Sequence, residues 1–149
     1  MRSARPLVPV LVAALLALGT ADPAQGEDTR GLRARATQLL SLDHHAFLAE
    51  KAAAPPPFDW STDGCTATPP VWAATFDGPC QQHDFGYRNL GHGLRLRATN
   101  AARAWVDRRL LAELRRVCAE RFAALAATRC RIRARAMYVA VRLFNPPWS

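Results

Sequence analysis

The chain has 149 residues, a formal charge of +8 and four cysteines. This length suits one domain, and no apolar stretch reaches the roughly 20 residues that a transmembrane helix needs. The positive charge favours anionic partners such as phospholipid headgroups or nucleic acid, and charge alone does not choose between them.

Residues 1–26 have the pattern of a secretory signal peptide. Arg2 and Arg5 precede an apolar run of 12 residues at positions 7–18, and small residues follow. Cleavage after Ala21 or after Gly26 fits this pattern about equally well. We therefore expect a secreted, extracellular protein, and a buried N-terminal helix is the alternative interpretation.

Helical patterns fill most of the remaining chain and strand patterns are nearly absent, so we predict a mainly α, that is all-α, fold. Residues 27–57 are expected to form two N-terminal helices and a proline-rich spacer, and residues 58–149 to complete the same domain. Proline suits a first helical position and glycine ends helices, which sets the boundaries. The predicted helices are Thr29–Leu40, a short one ending near Ala54, one from about Pro79 to Gly91, one from about Arg95 to Ala126, and one from about Thr128 to Phe144.

The four cysteines allow three pairings. Export to an oxidising compartment favours disulfides, and we prefer the sequence-local pairs Cys65–Cys80 and Cys118–Cys130. A zinc site using Cys65, Cys80 and His83 is the alternative. It is disfavoured because no clean pair of CxxC or CxxH units completes a tetrad.

The run CQQHDFGYRN at positions 80–89 places a histidine next to an aspartate within two helical turns of a cysteine. His83 shares a helix face with Cys80, whereas Asp84 lies about 100° round from His83. The two side chains can therefore serve different neighbours. Histidine is a common general base near neutral pH, which makes His83 a candidate catalytic residue.

Asp63 and Asp84 are candidate ligands of one cation. A Cys65–Cys80 disulfide would hold its two Cα atoms about 5.5–6 Å apart and bring both carboxylates near the same point. Gly64, between Asp63 and the cysteine, can offer its backbone carbonyl. Oxygen ligands suit a hard cation, and Ca²⁺ is favoured outside the cell. Ordinary capping and surface roles for the two acids are the alternative.

Asp107 falls on the apolar stripe of the fourth predicted helix. A carboxylate on a buried stripe is costly unless it is paired. A buried histidine on a neighbouring helix is the best partner, because an Asp–His pair fixes the imidazole tautomer and leaves its other nitrogen for a proton from water. A core salt bridge to one of the many arginines is the alternative. The other members of the stripe are Ala104, Leu111, Leu114 and Cys118.

A histidine base, its aspartate and a nearby cation together favour a water-activating hydrolase. No serine lies in a GxSxG pattern, which argues against a covalent esterase.

The runs FDWSTDGC at 58–65 and CQQHDFGYRN at 80–89 closely resemble the secreted phospholipases A2 of the prokaryotic and fungal type. The resemblance is strong over Phe58–Asn89 and looser from there to the last helix. It implies a small all-α, disulfide-stapled domain in which two long antiparallel helices carry the pair His83 and Asp107.

The resemblance also implies an activity, namely calcium-dependent hydrolysis of the sn-2 ester of glycerophospholipids by water that His83 activates. Asp107 would support the histidine, and Ca²⁺ would be bound by Asp63, Gly64 and Asp84. The family pattern includes the two disulfides preferred above. Candidate residues for the wall of the acyl path are Phe58, Trp60, Phe76 and Phe85.

A phospholipid membrane or micelle surface is the implied partner, and nothing in the sequence requires more than a monomer. Gln82 departs from the pattern, because relatives often carry a basic residue there. A catalytically weak relative that binds anionic membranes is the alternative function. Nucleic-acid binding is disfavoured because the alternating arginines of the last helix spread round it instead of forming one stripe; they are Arg129, Arg131, Arg133 and Arg135.

Overall fold

A computed structural model describes residues 23–148, with side chains from residue 28 onward. Within this part of the chain there is no strand, so the prediction of an all-α fold is confirmed. The elements are α1 (Pro23–Ser41), α2 (His44–Ala53), α3 (Pro70–Gly86), a π-helical turn (Tyr87–Gly91) that continues α3, α4 (Asn100–Arg121) and α5 (Ala124–Phe144).

The expected signal peptide lies outside the described residues, except that the first turn of α1 covers positions 23–26. Cleavage after Ala21 would leave α1 whole, and cleavage after Gly26 would shorten it at its first turn. Among the described helices, none combines the length and the apolar character that crossing a membrane requires.

The start of α3 differs from the sequence prediction, which placed the helix start near Pro79 and a loop over Phe58–Gly78. The helix begins at Pro70, and Pro79 lies inside it. Proline lacks an amide hydrogen, and its ring crowds the carbonyl four residues earlier. Accordingly the backbone leaves helical geometry at Phe76 (φ −111°, ψ 15°) and then resumes it. The element therefore consists of two helical segments joined at Phe76, and Pro79 lies in the first turn of the second, near the predicted start.

The start of α4 was also predicted too early, near Arg95. Thr99 caps this helix, since its hydroxyl accepts a hydrogen bond from the amide of Ala102 at 3.2 Å. The helices α3 and α4 run antiparallel, because His83 meets Asp107 whereas Thr75, earlier on α3, meets Arg121, later on α4.

Two disulfides fasten this helical pair to its neighbours. Cys65–Cys80 joins the segment before α3 to α3, with 5.3 Å between the Cα atoms. Cys118–Cys130 joins α4 to α5, with 5.5 Å between the Cα atoms. No described cysteine is free, so the alternative zinc site on Cys65, Cys80 and His83 is not formed.

The buried amide of Gln82 holds the end of α1 against α3. Its Nε2 donates to the carbonyls of Leu42 at 2.9 Å, Leu40 at 3.3 Å and Leu39 at 3.4 Å. The guanidinium of Arg109 donates to two of the same carbonyls, at 3.0 Å and 2.8 Å. Carbonyls at a helix C-terminus have no partner within the helix, so these side chains replace water there.

Asn89, which is fully buried, fixes the segment that precedes α3. Its Oδ1 accepts from the amide of Asp59 at 2.9 Å, and its Nδ2 donates to the carbonyl of Asp59 at 2.8 Å. The same Nδ2 donates to the carbonyl of Phe85 at 2.9 Å. The segment that carries Asp63 and Gly64 is therefore attached to α3 near both of its ends, by Asn89 and by the Cys65–Cys80 disulfide.

Candidate active site

The antiparallel packing of α3 on α4 places His83 against Asp107. Nε2 of His83 lies 2.9 Å from Oδ1 of Asp107, and the carboxylate is fully buried. An ionised carboxylate only accepts hydrogen bonds, so Nε2 carries the hydrogen and Nδ1 is the basic nitrogen of the neutral ring. This arrangement leaves Nδ1 as the atom that can accept a proton.

Asp107 also binds two residues that the sequence did not single out. The hydroxyl of Tyr87 donates to Oδ1 at 2.8 Å, and Nη1 of Arg142 donates to Oδ2 at 2.9 Å. The sequence offered a histidine partner and an arginine partner as alternatives, and the structure contains both. Burial would raise the pKa of Asp107, but hydrogen bonds from His83 and Arg142 outweigh it and hold that pKa below its usual value.

Arg103 also contacts this cluster. Its Nε lies 3.3 Å from the hydroxyl of Tyr87 and 3.9 Å from Oδ2 of Asp107. Its Nη2 donates at 3.0 Å to the carbonyls of Val141 and Arg142, which links the end of α5 to α4.

The sequence contained a signal for Tyr87, because it lies one helical turn after His83 and so on the same face of the helix.

Asp84 faces away from this cluster, toward the segment that leads into Cys65. Its Oδ2 accepts from the amides of Asp63 and Gly64, both at 3.1 Å, and from the hydroxyl of Thr62. Gly64 has φ +67°, a conformation in which a side chain is strained. The structure thus brings Asp63, Gly64 and Asp84 together, as the sequence predicted, and adds Thr62.

The charges at this place suit a cation. Burial raises the pKa of Asp84, and the negative charge of the neighbouring Asp63 adds to the rise. The carboxylate of Asp63 is well exposed, and Arg88 donates to it from Nη2 at 3.3 Å. The hydrogen bond from Thr66 holds the pKa of Asp63 below its usual value, so this acid keeps its charge beside Asp84. Two carboxylates that offer only oxygen atoms form a donor set that fits a hard divalent cation.

His83 and both acids open onto one cavity of about 640 Å³. Both polar groups and apolar side chains line it. Most of the apolar lining comes from α5, a contribution that the sequence prediction missed. The apolar lining consists of Trp72, Leu110, Ala136, Met137, Ala140, Val141 and Phe144.

The predicted acyl path is therefore wrong, because none of the four aromatic residues assigned to it lines the cavity. Phe76 and Phe85 are buried in the core, and Phe58 and Trp60 are partly buried against it. Phe85 packs on Phe47, Phe58 and Trp60, with ring centroids 4.6 to 5.5 Å apart. Phe76 is buried in a second cluster around the Cys118–Cys130 disulfide.

Comparison with known proteins agrees with this combination of an all-α scaffold and a His–Asp pair beside an acidic loop. The profile of the prokaryotic phospholipase A2 family matches residues 36–145. The chain therefore belongs to that family.

Two fungal proteins are similar to it. A secretory phospholipase A2 of Arthroderma benhamiae is 37% identical over 114 residues, covering 71% of this chain and 75% of the relative. A secretory phospholipase A2 of Beauveria bassiana is 39% identical over 79 residues, covering 50% of this chain and 42% of the relative.

Proposed function

We propose that this protein is a secreted, calcium-dependent phospholipase A2 that hydrolyses the sn-2 ester of glycerophospholipids with water activated by His83. One observation carries the proposal. His83, whose Nε2 lies 2.9 Å from Asp107, lines a cavity that is also lined by Asp63, Asp84 and apolar side chains. Charged groups would bind the lipid headgroup, and apolar side chains would contact the acyl chain.

The histidine moves the proton in this mechanism. Nδ1 of His83 takes a proton from a water molecule as that water attacks the ester carbonyl, and then returns it to the leaving alcohol. Asp107 keeps the ring in the required tautomer and balances the positive charge that His83 carries between the two steps. Tyr87 and Arg142 hold the carboxylate in place.

Asp63, Gly64 and Asp84 are the residues that would hold Ca²⁺, which when bound supplies positive charge to the ester carbonyl and the lipid phosphate. The clustering of the two acids around the Gly64 backbone supports this assignment. The positive φ of Gly64 favours glycine at this position, and its amide donates to Asp84 at 3.1 Å.

The partner in this proposal is a phospholipid membrane or micelle surface, reached outside the cell by a monomer. The names of both fungal relatives contain the word secretory, which supports export. The domain division proposed here keeps residues 27–57 and 58–149 in one unit, since α1 and α2 pack on α3.

Fatty-acid release from phosphatidylcholine vesicles, labelled separately at the sn-1 and sn-2 chains, tests the proposal. Release of the sn-2 chain should require Ca²⁺ and stop with EDTA. His83→Gln should lower turnover at least about 100-fold while circular dichroism stays unchanged. Glu50→Gln, on the surface and paired with Arg35, is the matched control. Ca²⁺ binding without fatty-acid release would instead favour the alternative function, a catalytically weak protein of the same family that binds anionic membranes.

A further inference from the structure

We propose a second metal site, selective for Zn²⁺ and formed by His44, His45 and Glu120, where the start of α2 meets the end of α4. One ligand atom from each residue lies within 4.8 Å of those of the other two. Nε2 of His45 is already 3.1 Å from Oε2 of Glu120. These residues take no part in the cavity that holds His83.

His44 is oriented for this role by a buried carboxylate. Oε2 of Glu113 lies 3.1 Å from Nδ1 of His44 and accepts from its backbone amide at the same distance. Since Nδ1 is occupied, Nε2 is the nitrogen left to bind a metal. Histidine ligands of metals regularly give their other nitrogen to a carboxylate, which fixes the ring and raises its basicity.

Two arginines bind the buried carboxylate of Glu113. Arg109 donates to Oε1 at 2.9 Å, and Arg116 donates to Oε2 at 3.1 Å. The side chains of His44 and Glu113 are both more than nine-tenths buried. The fixed part of the site is thus built into the core, whereas His45 and Glu120 are exposed and can close onto an ion.

There is room for a metal and its water ligands. The three residues line a cavity of about 220 Å³ that is separate from the larger one. Arg121 also lines this cavity. Its Nη1 donates to the carbonyl of Thr75 at 3.4 Å, and this hydrogen bond directs the guanidinium away from the three ligand residues. Water can fill the remaining coordination positions.

The donor set identifies the class of metal. Two imidazoles and one carboxylate are the ligands of many zinc sites, and imidazole is a poor ligand for Ca²⁺. The two sites of this protein therefore differ in chemistry, with oxygen donors at Asp63 and Asp84 and mainly nitrogen donors here. Zinc would link the first turn of α2 to the last turn of α4 and so raise stability without touching the catalytic residues.

Calorimetric titration of the purified full chain with Zn²⁺ in excess Ca²⁺ tests this proposal. One Zn²⁺ per chain and a rise in melting temperature are expected. His45→Ala and Glu120→Gln, both surface changes, should each weaken Zn²⁺ binding at least about tenfold and remove that rise. Glu50→Gln and Asp84→Asn should leave Zn²⁺ binding and the rise in melting temperature unchanged. Asp84→Asn distinguishes this site from the candidate calcium site.

Co²⁺ gives a second readout. Bound between two imidazoles and a carboxylate, it should produce visible absorption bands that disappear in the double variant His45→Ala, Glu120→Gln. The proposal is overturned if the wild-type protein binds no Zn²⁺, or if the double variant keeps wild-type affinity. It is equally overturned if Asp84→Asn abolishes the binding.

Discussion

Arg142 donates from Nη1 to Oδ2 of Asp107 at 2.9 Å, although 35 positions separate the two residues. The other carboxylate oxygen receives His83 and Tyr87. The last helix therefore helps to hold the pair that the two preceding long helices form. The buried carboxylate of Asp107 thus has three hydrogen-bond donors, and removing any one of them should lower stability.

Replacing Arg142 by alanine tests this support. The unfolding free energy should fall by roughly 1–3 kcal/mol because a buried oxygen loses its donor. Turnover should fall roughly 10- to 100-fold as Asp107 loses its fixed position. Urea denaturation and the vesicle assay measure the two effects. Arg129→Ala, an exposed change on the same helix, is the control, and equal behaviour of the two variants would contradict the assignment.

The lowered pKa of Asp107 predicts a pH dependence of stability. A carboxyl whose pKa is lower in the folded state stabilises the fold above its ordinary pKa of about 3.9, and that contribution is lost as pH falls through the folded value. The stability difference between wild type and Asp107→Asn should thus be largest near neutral pH and shrink below about pH 4. Urea unfolding at pH 6 and pH 3 checks it, and a difference that grows in acid would refute it.

The two disulfides should differ in effect. Replacing either pair of cysteines by serine should cost roughly 2–4 kcal/mol of stability. Only loss of Cys65–Cys80 should also weaken Ca²⁺ binding, because that bond holds Asp63 and Gly64 beside Asp84. Calcium titration of both double variants, below their melting temperatures, compares them. Equal calcium affinities would argue against the Asp63–Asp84 site.

Gln82 should be a structural residue and not a headgroup contact. Its replacement by leucine removes one donor from carbonyls at the end of α1 that keep other donors, two of them from Arg109, so the unfolding free energy should fall by roughly 0.5–1.5 kcal/mol. Turnover per folded molecule should not change for anionic or zwitterionic vesicles. Gln38→Leu, an exposed change on α1, should affect neither the unfolding free energy nor turnover. A changed headgroup preference in Gln82→Leu would contradict this role.

Ala140 should border the acyl chain. A tryptophan there would fill part of the apolar side of the larger cavity, so KM should rise more for long-chain than for short-chain lipids. The neighbouring Val139 faces outward and does not line the cavity, which makes Val139→Trp the matched control. Equal effects of the two substitutions on every chain length would remove α5 from the proposed path.

Local patterns in the sequence predicted the all-α fold, the family and the neighbourhood of the site. The 3–4 spacing around Asp107 revealed a carboxylate on a buried stripe, and the structure confirms its burial. The helical segment from Pro70 to the kink at Phe76 was missed, because the prolines, threonines and glycine between Thr66 and Gly78 are typical of a loop. Arg142 and the apolar cavity wall were out of reach, because no local period relates α5 to residues on α3 or α4.

The late position of Arg142 has a consequence for biosynthesis. A nascent chain that has emerged only to residue 140 contains His83 and Asp107, yet lacks the counter-charge of Arg142 and the outer wall at Phe144. Any hydrolytic centre built on this pair therefore needs residues up to Phe144 to be synthesised before it is complete.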